Sequence, residues 1–134
     1  MKLECLKDRL KEVVNICERV AGKNLALPIL SSVLLEAKGG LLLVRATNLD
    51  VGLEIEIPAK VEEEGVVAIN ASILGSFLNN INKEDKIKIN TQNDNLHLGG
   101  KKVSGLIKSF LADDFPIISR VKSGHIFSFQ ANEL

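Results

Sequence analysis

The segment from residue 6 to residue 21 constrains the fold more than any other stretch of the sequence. Its apolar side chains recur at the spacing of one helix face, which predicts an amphipathic helix. These side chains are Leu6, Leu10, Val13, Val14, Cys17, Val20 and Ala21. Gly22 can end the helix, because glycine accepts the left-handed backbone that often follows one. A lone amphipathic helix needs a surface to cover, so we expect the strands that follow to supply a sheet.

Strand patterns flank this helix in the first half of the chain. Residues 2–5 alternate polar and apolar side chains, and three more strands are predicted after the helix. Pro28 stands at the entry of the first of them, where a strand tolerates proline. Gly39 and Gly40 predict a hairpin turn between the first and the second. The three predicted strands are residues 29–37, 41–47 and 51–57.

The second half of the chain repeats this order. After a predicted charged loop at residues 62–65 comes a strand at 66–69, and Asn70 is a good N-cap for a second helix. That helix is predicted over residues 71–81. Its apolar face holds Ile73, Leu74, Phe77, Leu78 and Ile81, and its outer face holds Ser72, Ser76, Asn79 and Asn80. Three more strands are predicted at 86–90, 96–98 and 103–109.

Two βαβββ units, about residues 1–58 and 66–110, therefore share one plan without obvious sequence identity. They predict an α+β fold in which two helices form a layer against antiparallel sheet. From residue 125 a strand again runs into a helix, which the chain cuts off within its first turn. Because such a helix is not stable alone, we expect the given chain to end inside a second domain, after a first domain over residues 1–122. Residues 123–134 would be the linker end and the truncated start of a second domain.

The composition sets limits on possible partners and on location. The 17 basic and 17 acidic side chains balance, so the net charge predicts no strong attraction to nucleic acid. Residues 50–64 are mainly acidic and residues 101–122 mainly basic, and the simplest interpretation is two solvated faces. The charged N-terminus predicts no secretory signal, and no apolar run reaches the roughly 20 residues of a membrane helix. We therefore expect a soluble, cytoplasmic protein.

No catalytic or metal-binding constellation stands out, and we expect no enzymatic activity, metal or cofactor. Cys5 and Cys17 lack CxxC spacing and are expected to be buried thiols in a reduced compartment. The histidines, His97 and His125, are isolated in the sequence. Asp113 and Asp114 are adjacent, and on an extended chain adjacent side chains point to opposite faces. Residues 99–102, GGKK, lack the full phosphate-loop pattern and are predicted to form a hairpin turn.

Four stretches, in this order and spacing, resemble the bacterial sliding clamp, the beta subunit of the replicative DNA polymerase III. They are LPIL with VLLE at residues 27–36, ATNLDV at 46–51, EGV at 64–66 leading into Ala71, and DFP at 114–116. The resemblance covers essentially the whole chain and implies the DNA-clamp fold. In that family each subunit has three such domains, and two subunits close head to tail into a ring around duplex DNA. This chain would be the first domain and the start of the second.

The resemblance implies non-specific DNA contacts that are few and flexible, because a ring that slides cannot grip phosphates tightly. Members of the family often carry an arginine in the loop after the first helix, where this chain has Asn24 beside Lys23. They often carry a second arginine at the start of the second helix, where this chain has Ser72. Because both positions lack arginine, the expected affinity for DNA phosphates is lower. The other candidate DNA contacts are Lys11, Ser76 and Asn79.

The resemblance also implies a ring-closing edge, formed by the second helix and the strand near residues 103–108. Ser104 and Gly105 stand where the family carries a basic and an aromatic residue. The candidate interface residues are Ile73, Lys102, Ser104, Leu106 and Lys108. Phe77 could add apolar contact, with a core position as the alternative. The replicative polymerase and the clamp loader would bind through domains that this chain lacks.

Two other classes of function stay open at this point. One is a stand-alone protein-interaction module of antiparallel sheet and helices, without a role on DNA. The other is a small hydrolase. The clamp interpretation requires a reading frame that continues past Leu134 into further domains, and it predicts that the isolated fragment binds DNA poorly.

Overall fold

The computed structural model describes residues 1–22 and 27–117, and these residues form nine strands and two α-helices. The strands are β1 (Lys2–Leu6), β2 (Ser32–Lys38), β3 (Leu41–Thr47), β4 (Gly52–Pro58), β5 (Lys60–Glu63), β6 (Gly65–Asn70), β7 (Lys86–Gln92), β8 (Asn95–Gly99) and β9 (Ser104–Lys108). The helices are α1 (Lys7–Val20) and α2 (Ala71–Asn79). The predicted start of a second domain, at residues 123–134, lies outside the described residues, as does His125.

The strands form two antiparallel sheets, and the two repeat units exchange a strand between them. The five-stranded sheet has the order β5-β1-β7-β8-β9, and the four-stranded sheet has the order β4-β3-β2-β6. Thus β1 pairs with β7 of the second unit, while β6 pairs with β2 of the first unit. The predicted α+β class and the two βαβββ units are confirmed. Neither unit is independent, because each sheet contains strands from both.

The two helices lie against each other and supply one side of the core. Leu10, Val13 and Cys17 of α1 are fully buried, as are Leu74 and Leu78 of α2. They pack with the inward side chains of both sheets in one apolar cluster. Such burial of aliphatic side chains is the dominant stabilising term in a domain of this size.

The helices approach closely at Gly75. A Cβ atom on this residue would lie 2.8 Å from Oε2 of Glu18 on α1. Beside this point, the amides of Asn15 and Asn79 form a reciprocal pair, with N–O distances of 3.3 and 3.5 Å. The pair satisfies two polar side chains at the seam between the helices.

The apolar face predicted for the first helix is wrong at its first position. Leu6 ends β1, where its side chain points outward, and it is 57% exposed. Lys7 is buried instead, and its Nζ donates a hydrogen bond to the carbonyl oxygen of Ile81 at 2.9 Å and contacts Oδ1 of Asp8 at 2.7 Å. Ile73 of the second helix is likewise 54% exposed, although its spacing predicts a core position.

Two strand boundaries also differ from the sequence prediction. The predicted strand at 29–37 begins later, because Pro28–Ser31 form a 3₁₀ turn before β2. The predicted charged loop at 62–65 is wrong, since Lys60–Glu63 form β5 and pair with β1. An edge strand can carry charged side chains on its solvent side, so composition alone hides it.

The segment that runs from Phe110 to the DFP stretch lies against the four-stranded sheet. The amide of Phe110 donates a hydrogen bond to the carbonyl oxygen of Ala68 at 2.8 Å, and Phe115 is buried. Asp113 and Asp114 lie in a 3₁₀ turn, Ala112–Asp114, rather than on an extended chain. Within residues 1–22 and 27–117, no helix has the length and apolarity needed to cross a membrane.

Asn70 is the predicted N-cap, and its Oδ1 accepts a hydrogen bond from the amide of Ile73 at 3.0 Å. We expect Asn70→Ala to lower the free energy of unfolding by about 1 kcal/mol, because the first turn of α2 loses this acceptor. Urea denaturation followed by circular dichroism measures the change. Asn70→Asp keeps the acceptor and should retain most of the stability. Equal losses for both substitutions would contradict the capping role.

Candidate nucleic-acid and subunit interface

The outer face of α2 is polar and carries no charged side chain. Ser72, Ser76, Asn79 and Asn80 are all exposed on it, as the helical spacing predicts. The Oδ1 of Asn70 fixes the N-terminus of the helix, and Nδ2 of Asn80 donates a hydrogen bond to the carbonyl oxygen of Ser76 at its end. Hydroxyl and amide groups can contact phosphates without adding a strong electrostatic attraction.

The exposed surface of α1 is charged but balanced. Its acidic residues are Asp8, Glu12 and Glu18, and its basic residues are Arg9, Lys11 and Arg19. Nη1 of Arg9 lies 3.3 Å from Oε2 of Glu12, so part of this charge is paired within the helix. The two helices together therefore present a surface of no net charge.

The predicted DNA-contact residues differ in how exposed they are and in whether their side chains are already paired. Ser72 and Ser76 are exposed on α2, while Lys11 is half-buried on the neighbouring helix. Asn79 is exposed, but its amide pairs with Asn15. The predicted contacts Lys23 and Asn24 lie outside the described residues.

The predicted interface residues gather at one edge of the five-stranded sheet. β9 is the outermost strand there and pairs only with β8 among the described strands. Ile73 on α2 and Leu106 on β9 are 54% and 61% exposed. The remaining predicted interface residues, Lys102, Ser104 and Lys108, are also exposed. A strand with an unpaired edge and exposed apolar side chains is a surface suited to pairing with another chain.

Val103, which precedes β9 and is 38% exposed, is a further apolar residue at this edge. It begins the strand that the sequence predicts at 103–109, and spacing along one strand does not show whether its end is covered. Phe110 follows β9 and is 43% exposed, but its amide bonds to Ala68 of β6, so it lies against the other sheet.

Gly105 and Phe77 fit together where α2 meets β9. A Cβ atom on Gly105 would overlap the ring of Phe77, coming within 2.9 Å of Cζ. The half-buried ring of Phe77 therefore covers the glycine from the helix side. This contact fixes the spacing between the helix and the edge strand.

The GGKK segment is the predicted hairpin turn, and its backbone amides bind the carboxylate of Glu84. The amide of Gly100 donates to the carbonyl oxygen of Val103 at 2.8 Å. The amides of Lys101 and Lys102 each donate to the carboxylate of Glu84 at 2.9 Å. These backbone hydrogen bonds lower the pKa of Glu84, the bond from Lys101 most. A side chain at Gly100 would overlap Glu84, so the glycine makes this close approach possible.

The thiols are placed as predicted, buried and free. Burial raises the pKa of Cys5 to about 12 and that of Cys17 to about 11, so both are protonated and poorly nucleophilic at neutral pH. His97 is half-buried on β8, opposite Asn90 and Leu106. Over residues 1–22 and 27–117, no three His, Cys, Asp or Glu side chains gather as a metal site would require.

Comparisons with known proteins all lead to one family. A family model described as DNA polymerase III beta subunit, N-terminal domain, matches residues 1–119. A beta sliding clamp from Buchnera aphidicola is 25% identical over 134 residues, which cover 96% of this chain and 35% of that protein. The chain thus spans about a third of the length of the curated relatives it matches.

Solved structures agree with the sequence matches. The Helicobacter pylori beta clamp bound to a DNA ligase peptide has a TM-score of 0.84 and 26% identity, over 91% of this chain and 34% of that one. A structure described as a DNA polymerase III beta subunit, from Eubacterium rectale, has a TM-score of 0.86 and 25% identity, over 93% of this chain and 34% of that one.

We expect Gly105→Ala to lower the free energy of unfolding by about 1–3 kcal/mol, because the new methyl group displaces the Phe77 ring. In a Phe77→Leu background the same substitution should cost less, since the ring is gone. A thermodynamic cycle from urea denaturation measures this coupling. The matched control is Gly99→Ala, whose Cβ would meet its nearest neighbour at an ordinary 3.7 Å. Additive costs for Gly105→Ala and Phe77→Leu would contradict the packing.

Glu84 should make stability depend on pH. Its pKa in the folded protein is lowered from the ordinary 4.5, so its contribution is present above that value. The contribution is lost as the pH falls through the lowered folded pKa, where the carboxylate becomes protonated. We expect Glu84→Gln to unfold at lower urea than the parent at pH 7, and this gap should shrink in acid. A gap that stays constant with pH would contradict the carboxylate's role.

Proposed function

The chain belongs to the family of the DNA polymerase III beta subunit, N-terminal domain, and from this membership we propose that it forms the first domain of a sliding-clamp subunit. Two such subunits close head to tail into a ring around duplex DNA. The ring tethers the replicative polymerase without reading sequence. The chain itself acts as a binding and positioning element in the cytoplasm and carries out no catalysis.

The observation that carries this proposal is the neutral polar surface of the two helices. A ring that slides needs a surface that tolerates phosphates without holding them, because each phosphate neutralised by a cation adds affinity and salt dependence. The uncharged outer face of α2 and the balanced charges of α1 meet this need. Topology, not electrostatic attraction, then keeps the protein on DNA.

The DNA contacts in this proposal come from both helices and from residues 23 and 24, which follow α1 in the sequence. Ser72 and Ser76 offer hydroxyl groups on α2, and Lys11 adds one cation on α1. Asn79 reaches phosphate only by giving up its pairing with Asn15. Lys23 and Asn24 complete the set. Water can bridge such contacts at little cost, which suits contacts that must break at each step.

The subunit contact in this proposal is made at β9. Its unpaired edge can extend the five-stranded sheet into a strand of the next subunit, through backbone hydrogen bonds. Ile73 and Leu106 would then be buried, which favours association by removing apolar surface from water. Lys102, Ser104 and Lys108 line the same edge, so the facing surface should carry acidic groups. The polymerase and the clamp loader bind elsewhere, through the further domains of the subunit.

The proposal predicts a topological mode of DNA retention. Full-length protein carrying this domain, loaded onto duplex DNA by its clamp loader, should stay on circular DNA during gel filtration at moderate salt. It should be lost from the same DNA after linearisation, because a ring slides off a free end. Equal retention on both forms would mean ordinary binding and would refute the ring. No loading at all would favour the interaction module without a role on DNA.

A variant at the proposed edge, compared with a matched control variant, tests the subunit contact in the same experiment. Leu106→Asp places a charge where the subunits would meet, so circular retention should fall and the subunit should sediment as a monomer. Val51→Asp is the matched control, since Val51 is also more than half exposed but lies away from β9. Loss of retention with Val51→Asp as well would show that the effect is not specific to the edge.

A further inference from the structure

A groove opens where the two sheets meet, beside the end of β1. Its volume is about 390 Å³, within the range of sites that accept small ligands or peptide side chains. It is lined by the end of β1, the start of α1, the β2–β3 turn, and the passage from β4 into β5. The proposed DNA and subunit contacts include none of its lining residues: Glu4, Cys5, Leu6, Arg9, Gly40, Ile57, Pro58, Ala59, Lys60 and Lys86.

The floor of the groove is apolar. Leu6 lies in it and is 57% exposed, although its spacing predicts a buried residue. Ile57 is buried beneath, and Pro58 and Ala59 continue the apolar wall toward β5. The amide of Ala59 donates to the carbonyl oxygen of Gly40 at 3.0 Å, which holds this wall in place. An exposed leucine among apolar neighbours is a surface that a second apolar side chain can cover.

The rim of the groove is cationic. Arg9, Lys60 and Lys86 stand around the floor, against one acidic lining residue, Glu4, and Arg9 is also paired with Glu12 of its own helix at 3.3 Å. Neither lysine has an acidic partner within 4.0 Å in the part of the chain that the structure describes. Glu4 pairs across the sheet with Lys60 on one side and Lys88 on the other. Its single carboxylate therefore lies among several ammonium groups.

The cationic rim continues into a neighbouring cavity of about 480 Å³. The two cavities share Glu4 and Lys86, and the second adds the basic side chains Lys83, Lys88 and Lys101. Its added acidic residues are Glu84 and Asp85, and Glu84 keeps its negative charge while it accepts hydrogen bonds from the neutral amides of Lys101 and Lys102. Six basic residues therefore line the two cavities against three acidic ones.

We propose that this groove is a docking site for an acidic peptide segment with an aliphatic side chain, supplied by a partner protein. The aliphatic side chain covers Leu6 and the wall at Pro58, while flanking carboxylates meet Lys60, Lys86 and Arg9. Charge complementarity selects this occupant, because Lys60 and Lys86 at the rim have no acidic partner within 4.0 Å among the described residues, and six basic residues line the two cavities against three acidic ones. Nucleic acid fits less well, since neither cavity is lined by an aromatic side chain on which a base could stack.

The test uses a fluorescein-labelled synthetic peptide in which glutamates flank a single leucine on both sides. Fluorescence anisotropy at low salt should give saturable binding to the chain with a Kd of about 10–100 µM. Leu6→Ser should weaken binding about tenfold, because the apolar contact is lost. Lys60→Gln combined with Lys86→Gln should weaken it about fivefold. Arg19→Gln removes a cation far from the groove, on the helix surface, and should leave the Kd unchanged.

Thermal denaturation checks that each variant is folded, and NMR shifts of the parent chain locate the peptide independently of any substitution. Shifts centred on residues 4–9, 57–60 and 86 support the proposal. Absence of saturable binding up to about 1 mM overturns it, as does equal binding by all variants. A peptide with serine in place of leucine that binds equally well also overturns it. Tighter binding of single-stranded oligothymidylate through the same residues would assign the groove to nucleic acid instead.

Discussion

Pairing of β1 with β7 and of β6 with β2 makes the two halves of the chain depend on each other. Each sheet takes its full set of hydrogen-bonded strands from both units, so neither unit can bury its apolar face alone. The exchange also places α1 and α2 side by side over a single core. The helix surface that remains outside is therefore set by the sheet pairing, and it is the surface on which the proposed function rests.

The same pairing leaves β9 at the end of its sheet, and several local contacts define that edge. The Phe77 ring covers Gly105 and sets the distance between helix and strand. Glu84 holds the β8–β9 turn through two backbone amides. Both contacts lie on the inner or turn side, so the outer backbone of β9 stays available. An edge held in a fixed geometry loses less conformational entropy on pairing with another strand than a mobile one does.

A buried charge in this fold has internal partners, while several apolar side chains remain exposed. Lys7 is buried, yet its ammonium group binds the carbonyl oxygen of Ile81 and the carboxylate of Asp8. Burying a charge without such partners would be costly. Leu6, one residue earlier, is exposed beside a cationic rim. Lys7 is buried and Leu6 is exposed because β1 ends at Leu6 and the helix begins at Lys7. The exposed Leu6 forms part of the apolar floor of the proposed groove.

The sequence by itself determined the helices, most strands, the Asn70 cap, the hairpin turns and the polar face of α2. These features follow from local spacing and from residues with strong conformational preferences, so nearby residues suffice to predict them. It also carried the family resemblance, because four motifs keep their order. The charged strand β5 could not be predicted from the sequence pattern, because its pairing with β1 depends on residues far away in the sequence.

Only the tertiary structure decided the strand exchange, the exposure of Leu6 and Ile73, the covering of Gly105 by Phe77, and the capture of Glu84 by the GGKK turn. Each of these joins residues that are distant in the chain, or depends on which element covers a side chain. A period of two or 3.6 residues assigns a side chain to a face, but the pairing of elements determines whether that face is covered. The interface edge and the proposed groove are both faces that the pairing leaves open.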